Sequence, residues 1–180
     1  MDETCREIAR NGIKKIIICN GHGGNVDFLQ FFCREQMDSP RDYAVFLFAP
    51  TVDEETDNKI KKMRKTTTGG HADEIESSMM LKIRPDLVKI DRASYESGRN
   101  QNLLQIKNVY TGLVWYAQYP NHYAGDGKDA TPALGELSFE WRSNQLAEVI
   151  KAVKADTDML RLQKEFFKDS ASPLHTKVKE

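Results

Sequence analysis

The chain has 180 residues, enough for one domain with a sizeable core, and carries 26 lysines and arginines against 27 aspartates and glutamates. The resulting net charge of −1 excludes the basic excess expected of a general nucleic-acid binder. No apolar run approaches the ~20 residues that cross a bilayer, and the polar start MDETCREIAR lacks the apolar centre of a signal peptide, so no membrane partner is expected.

In chain order, Asp2 to Arg10 reads as a helix stopped by Asn11-Gly12. IKKIIIC reads as a buried strand. GGNVDFLQFFCREQM is the helix after it, with Val26, Leu29 and Cys33 on one face. YAVFLFAP is a second buried strand, ended by Pro50. Continuously apolar strands alternating with helices predict a mostly parallel sheet covered on both faces. Thr51 to Gly70 is polar and charged and reads as an excursion over the surface, with room for a short helix. HADEIESSMMLKI is a helix stopped before Arg84-Pro85, LVKID a short strand, and RASYESGRNQN a loop. IKNVYTGLVWYAQYP reads as strand-rich, and NHYAGDGKDATPALGE as a second long loop. Thr131 has the character of an N-cap, with Pro132 at the first helical position. The helix that follows runs from Leu134 towards Ala155, with a stripe of Phe139, Leu146, Val149, Ile150 and Val153. The charged end extends as a helix through Leu162 and Phe166 and frays by Ser172-Pro173. Residues 1–170 are thus expected to form one α/β domain and 171–180 a charged tail. Cys5, Cys19 and Cys33 show no paired spacing, which suits a reducing cytoplasm.

In an open parallel sheet, ligands bind beyond the carboxyl ends of the strands. NGHGGN, Asn20 to Asn25, lies at such an end. Three readings stand for it. Backbone N–H groups at the helix N-terminus could cradle a phosphate, but no phosphate-loop spacing is met and no lysine follows. The glycines could let a metal or ligand approach His22. Or the turn is structural and His22 incidental.

TTTGGHADEIESS repeats the arrangement, with His71 after Gly69 and Gly70 and ahead of a helix. Asp73 and Glu74 are ordinary first-turn carboxylates that complement the helix dipole. Glu76 shares a face with Met80 and Ile83, expected to be buried, where a carboxylate needs a partner and a cation is a good one. Two glycine–histidine turns and such a carboxylate are ingredients of a hydrolytic metal site. YPNHYAGDGK adds His122 and Asp126 in a third glycine-rich turn. His122 reads equally as a pocket residue or an exposed side chain, His175 as inert, and Trp115 and Trp141 as core or interface residues.

NGHGGN, GGHADEIESSMML (Gly69 to Leu81) and RPDLVKID (Arg84 to Asp91), in that order, resemble the creatininase (creatinine amidohydrolase) family. GDGKDATPALGE before the last long helix resembles that family's C-terminal pattern. The resemblance implies a three-layer α/β/α sandwich and a hydrolase with two divalent ions, zinc or manganese, acting on C–N bonds of small cyclic amides and related molecules. Carried over by motif, His22 would ligate one metal and Glu76 the second. His71 would be the catalytic acid or would hold the substrate carbonyl. Gly69 and Gly70 would let substrate approach the backbone, with His122 as a further substrate contact. Metal-bound hydroxide would attack the carbonyl while His71 protonates the leaving nitrogen.

Two departures accompany the resemblance. Creatininase itself carries glutamate where Gly24 stands here, which argues against creatinine as substrate, and Ser77 replaces a threonine. The family's early Glu-x-His segment and bridging aspartate do not precede IIICNGHGGN, so the chain resembles the last two-thirds of a family member. The expected partners are a small-molecule substrate and either further copies of the chain or a complementing one. The alternative to an amidohydrolase is a non-catalytic or truncated family fragment that acts through assembly. A third reading, a nucleotide-binding module on the glycine turns, predicts protection by nucleotide and no metal.

Overall fold

A computed structural model describes residues 1–67 and 69–175. Its main elements in order are α1 (Asp2–Arg10), β1 (Lys15–Cys19), α2 (Val26–Glu35), β2 (Ala44–Phe48), α3 (Glu54–Met63), α4 (Glu74–Ile83), α5 (Val114–Gln118), α6 (Pro132–Ala155) and α7 (Met159–Ser170). The chain divides into two compact units, Met1–Thr51 with Gln145–Glu180, and Val52–Asn144.

In the first unit β1 and β2 run parallel, Lys15 opposite Ala44 and Cys19 opposite Phe48. Parallel neighbours need a crossover, and α2 supplies it. Cys5 and Ala9, one helical turn apart on α1, meet Ile16, Phe32 and Tyr43 in the core, with Ile8, Ile18 and Val45 packed against them. Gly12, at φ 94°, lets the chain leave α1 where Asn11-Gly12 predicted a stop. The buried stripe of α2 differs from expectation. Of the expected residues Leu29 is buried and Cys33 half-buried, but Val26 is exposed, and the buried face adds Phe32 and the capping residue Gln36. Lys15 Nζ donates to the carbonyls of Val153 (2.8 Å), Lys154 (3.1 Å) and Asp156, a cation on the C-terminal carbonyls of α6. Gln163 Nε2 ties α7 to Arg41 O (3.0 Å) and Tyr43 O (3.1 Å), both just ahead of β2. The expected α/β fold is present, with its parallel pair in this unit. Pro173–His175 close the described chain in a 3₁₀ turn; the rest of the expected tail, 176–180, lies outside the described residues.

In the second unit the surface excursion forms α3, polar except for Ile60 and Met63. Asp53 caps it by accepting from Thr56 N at 2.8 Å, and Glu55–Lys59 and Asp57–Lys61 lie one turn apart at 2.6 and 2.5 Å. Thr68, within that excursion, is outside the described residues. LVKID forms no strand: Pro85–Leu87 and Ile90–Arg92 are single 3₁₀ turns. IKNVYTGLVWYAQYP forms none either; it runs as loop into α5. A strand needs a partner edge for its backbone groups. Here Gln101 N and Leu103 N bond to Gln118 O and Ala117 O instead, leaving Ile106, Tyr110 and Leu113 exposed. α6 starts as predicted, with Thr131 Oγ1 accepting from Leu134 N at 3.3 Å.

Candidate active site

Each glycine–histidine turn is built by local polar contacts. In the first unit β1 runs out at Asn20, whose Oδ1 accepts from His22 N (3.1 Å) and whose Nδ2 donates to His22 O (2.9 Å). Asn25 Nδ2 reaches the same Oδ1 at 3.3 Å, so the two asparagines of NGHGGN brace the loop from both ends. His22 is exposed, and its ring covers Gly24: a Cβ there would stand 2.8 Å from His22 Nε2. Gly24, the position where creatininase is expected to carry glutamate, therefore leaves room for the imidazole.

In the second unit the Gly69–Gly70–His71 turn leads into α4. Asp73 caps the helix, accepting from Glu76 N at 2.9 Å, and lies 3.5 Å from Arg64. Glu76 reaches back to Ala72 N at 2.8 Å, a reciprocal cap displaced by one residue from the usual box. Ala72 adopts φ 55°, unfavourable for a residue with a Cβ. The Glu76 bond to its N–H and the Ser77 hydroxyl on its carbonyl (2.9 Å) hold it there. The close approach also requires Gly127, where a Cβ would fall 2.6 Å from Ala72 O.

The structure brings His71 and Glu76 together, Nδ1 to Oε2 3.6 Å, with the His71 ring edge-on to Trp115 at 6.3 Å. His71 also exchanges two backbone bonds with Ala124 (2.9 and 3.0 Å). The expected burial of Glu76 is corrected: its side chain is 52% exposed, and Met80 and Ile83 are exposed with it. The buried face of α4 is that of Glu74 and Ser78 instead. This follows from the cap, since Asp73 and Glu76 both turn back over the helix end while the next face takes the packing against α6. There Thr131 N donates to Ser78 Oγ at 2.9 Å, and Gly135 lets the helices meet: a Cβ on it would lie 2.0 Å from Ser78 O.

Glu74 is the residue that the helix-dipole reading missed. Only 1% exposed, it accepts from Lys65 N (2.9 and 3.0 Å), Thr66 N (2.7 Å) and Thr66 Oγ1 (2.8 Å). It thus clasps the chain just ahead of the Gly69–His71 turn. Nothing in the spacing distinguishes it from an exposed first-turn carboxylate, because its donors are two backbone N–H groups and one threonine hydroxyl of a loop.

The other expected substrate contacts separate. Gly70 is open for its own chain: a Cβ would stand 2.8 Å from Ala124 O. Gly69 borders a cleft of about 670 Å³ lined by residues of 93–100 and 119–128. His122, at φ 64°, is exposed and is not part of that lining. The loop after Arg92 lines the cleft from Ala93 to Asn100. Among the described residues no three His, Cys, Asp or Glu side chains gather as a metal-binding group. None of the described helices is long and apolar enough to cross a membrane.

The family pattern described as creatininase, creatinine amidohydrolase, matches residues 1–150. The chain belongs to the creatininase family. Among solved structures it is similar to a protein from Bacteroides fragilis NCTC 9343 whose name assigns it as a creatinine amidohydrolase, with 19% identity, a TM-score of 0.67, and coverage of 87% of this chain and 60% of that one. A creatinine amidohydrolase (creatininase) structure matches at 21% identity and a TM-score of 0.63 over 86% of this chain and 62% of its own. A manganese creatininase matches at 22% identity and a TM-score of 0.61 over 83% and 60%. These likenesses show the creatininase fold, and this family member spans about three-fifths of the length of the structures it resembles. No curated protein matches the sequence.

Proposed function

We propose that this creatininase-family chain forms part of a metal-dependent hydrolase that opens a C–N bond, amide or cyclic amide, in a small molecule. The observation that carries the reading is the His71–Glu76 pair, 3.6 Å apart at a glycine turn that opens α4. Solved creatininases include a manganese form and a zinc–zinc form, which supports divalent ions as the cofactors.

The donor chemistry fits those ions. His22 offers an imidazole and Glu76 a carboxylate, ligand types that zinc and manganese both accept. Carried over by motif, His22 would hold one ion and Glu76 the other, each as one donor of a roughly four-ligand set. Further copies of the chain or a complementing one are the macromolecular partners proposed. When bound, the ions supply Lewis acidity that brings the pKa of water towards neutrality. His71 carries a proton to the leaving nitrogen or holds the carbonyl oxygen, with Glu76 orienting the imidazole through Nδ1. Gly69 gives substrate access at the cleft, and His122, outside its lining, is kept as a further substrate contact. Unpaired Cys5, Cys19 and Cys33 suit a reducing, cytoplasmic setting.

The competing reading is a non-catalytic or truncated family fragment that needs a partner chain to complete the metal site; the chain spans 60% of the first similar structure. Turnover of a panel of cyclic amides and formamides, with manganese or zinc added, separates the two. The amidohydrolase reading expects metal-dependent turnover that His71→Ala removes. Full turnover by His71→Ala sinks the role of His71, and inactivity towards every amide sinks the catalytic reading for this chain alone.

A further inference from the structure

The cleft of about 670 Å³ in the second unit is framed by backbone contacts. Gly125 N donates to Gly98 O at 3.0 Å, and Gln101 N to Gln118 O at 2.7 Å. A Cβ on Gly98 would stand 1.9 Å from Gly125 O, so the two segments close only with glycine there. The wall is therefore set by main chain, and its side chains project from fixed positions.

Four charged residues line it: Glu96, Arg99, Asp126 and Lys128. Three of them are engaged. Lys128 Nζ pairs with Asp126 at 3.0 Å, and Glu96 accepts from Asn121 Nδ2 at 2.7 Å. Arg99 differs. Its backbone is held by Ser97 Oγ (3.3 Å) and Gln101 Nε2 (2.9 Å), but among the described residues its guanidinium has neither an ion pair nor a hydrogen bond. A guanidinium offers its N–H donors in a planar fork that matches a carboxylate. Ser94 and Tyr119 add hydroxyls to the same lining.

We propose that this cleft binds a small monocarboxylate, with the carboxylate seated on Arg99. A single negative charge is favoured over a phosphate dianion because Lys128 is already paired. Glu96 and Asp126, on the same wall, would oppose a second charge. The proposal rests on the amidohydrolase reading only in making that carboxylate a handle of the substrate, through Gly69 at the border of the cleft. Binding itself needs neither metal nor turnover.

The test is an NMR titration of the metal-free 180-residue chain with propanoate, propanamide and inorganic phosphate. The expected result is saturable propanoate shifts confined to 94–100 and 119–128, weaker binding of phosphate, and none of propanamide. Arg99→Gln weakens propanoate by at least ~10-fold, and Glu96→Gln tightens it by removing an opposing charge. Equal binding of propanamide, unchanged affinity in Arg99→Gln, or phosphate binding tighter than propanoate overturns the proposal. Propanoate binding in a chain that turns over no amide supports the site and counts against the amidohydrolase reading alone, so the two fail separately.

Discussion

Replacing Glu74 tests whether the glycine–histidine turn is held from behind. Its carboxylate serves three donors: Lys65 N, Thr66 N and the Thr66 hydroxyl. Hydrogen bonds to a charged acceptor contribute roughly 1.5–3 kcal/mol each when dry. Lys65 is exposed and Thr66 half-buried, so water can replace part of what is lost. Three such bonds sum to roughly 4.5–9 kcal/mol, and Glu74→Ala is expected to cost about 3 kcal/mol, below that sum because water takes up part of the loss. For a chain of this size that is a fall in Tm of roughly 6–12 °C. Glu74→Gln keeps one acceptor oxygen but places an NH2 group where the other stood, and should lose about half as much. Amide exchange localises the effect: Lys65 and Thr66 should exchange faster in both variants, while the Ile16 and Ile18 amides of the first unit stay unchanged. A loss below about 0.5 kcal/mol in Glu74→Ala, with the Lys65 and Thr66 amides unaltered, would refute the clasp.

Gly135→Ala brings a Cβ to 2.0 Å from Ser78 O and must part α4 from α6. A cost at or above the ~1–3 kcal/mol of an overpacked core is expected in urea unfolding, and a neutral result would contradict the helix contact. Asp73→Ala removes the cap on Glu76 N and the Arg64 pairing, for about 1 kcal/mol in the same assay. Burial raises the Cys5 thiol above its ordinary 9.0, while Cys19 is exposed. Cys19 should therefore alkylate first and Cys5 last. Because the folded state holds the neutral Cys5 thiol, its contribution to stability is complete below pH 9.0 and declines as pH rises through the raised value. Cys5→Ala should flatten that alkaline decline, as followed by denaturation at stepped pH.

Elements are legible in the sequence where local signals and burial agree. Asn11-Gly12 stopped α1, Thr131-Pro132 opened α6, and IKKIIIC and YAVFLFAP became the parallel pair. Legibility fails where tertiary context decides. Ile106, Val109 and Tyr110 have strand-forming side chains, but among the described residues no neighbouring strand meets them, so the pattern alone misleads. Around the site, the two glycine–histidine turns were visible as motifs, and the pairing of His71 with Glu76 follows from their five-residue separation across a cap. Which carboxylate of α4 is buried was not visible. A stripe at 76, 80 and 83 and another at 74, 78 and 81 are both helical. The choice lies with Asp73, whose cap draws Glu76 back over the helix end, and with Gly135, which admits Ser78. The cleft at Arg99 was invisible for a different reason, since its walls are loops joined by backbone bonds between Gly98 and Gly125.

The central claim is that His22 and Glu76 are metal ligands, and metal content measures it most directly. The purified chain is equilibrated with zinc or manganese, dialysed, and analysed for bound metal beside His22→Ala and Glu76→Ala. The account predicts that each substitution lowers affinity by more than ~10-fold, since a direct ligand should matter at least as much as the outer partners that orient one. Wild-type metal content in both variants would contradict it.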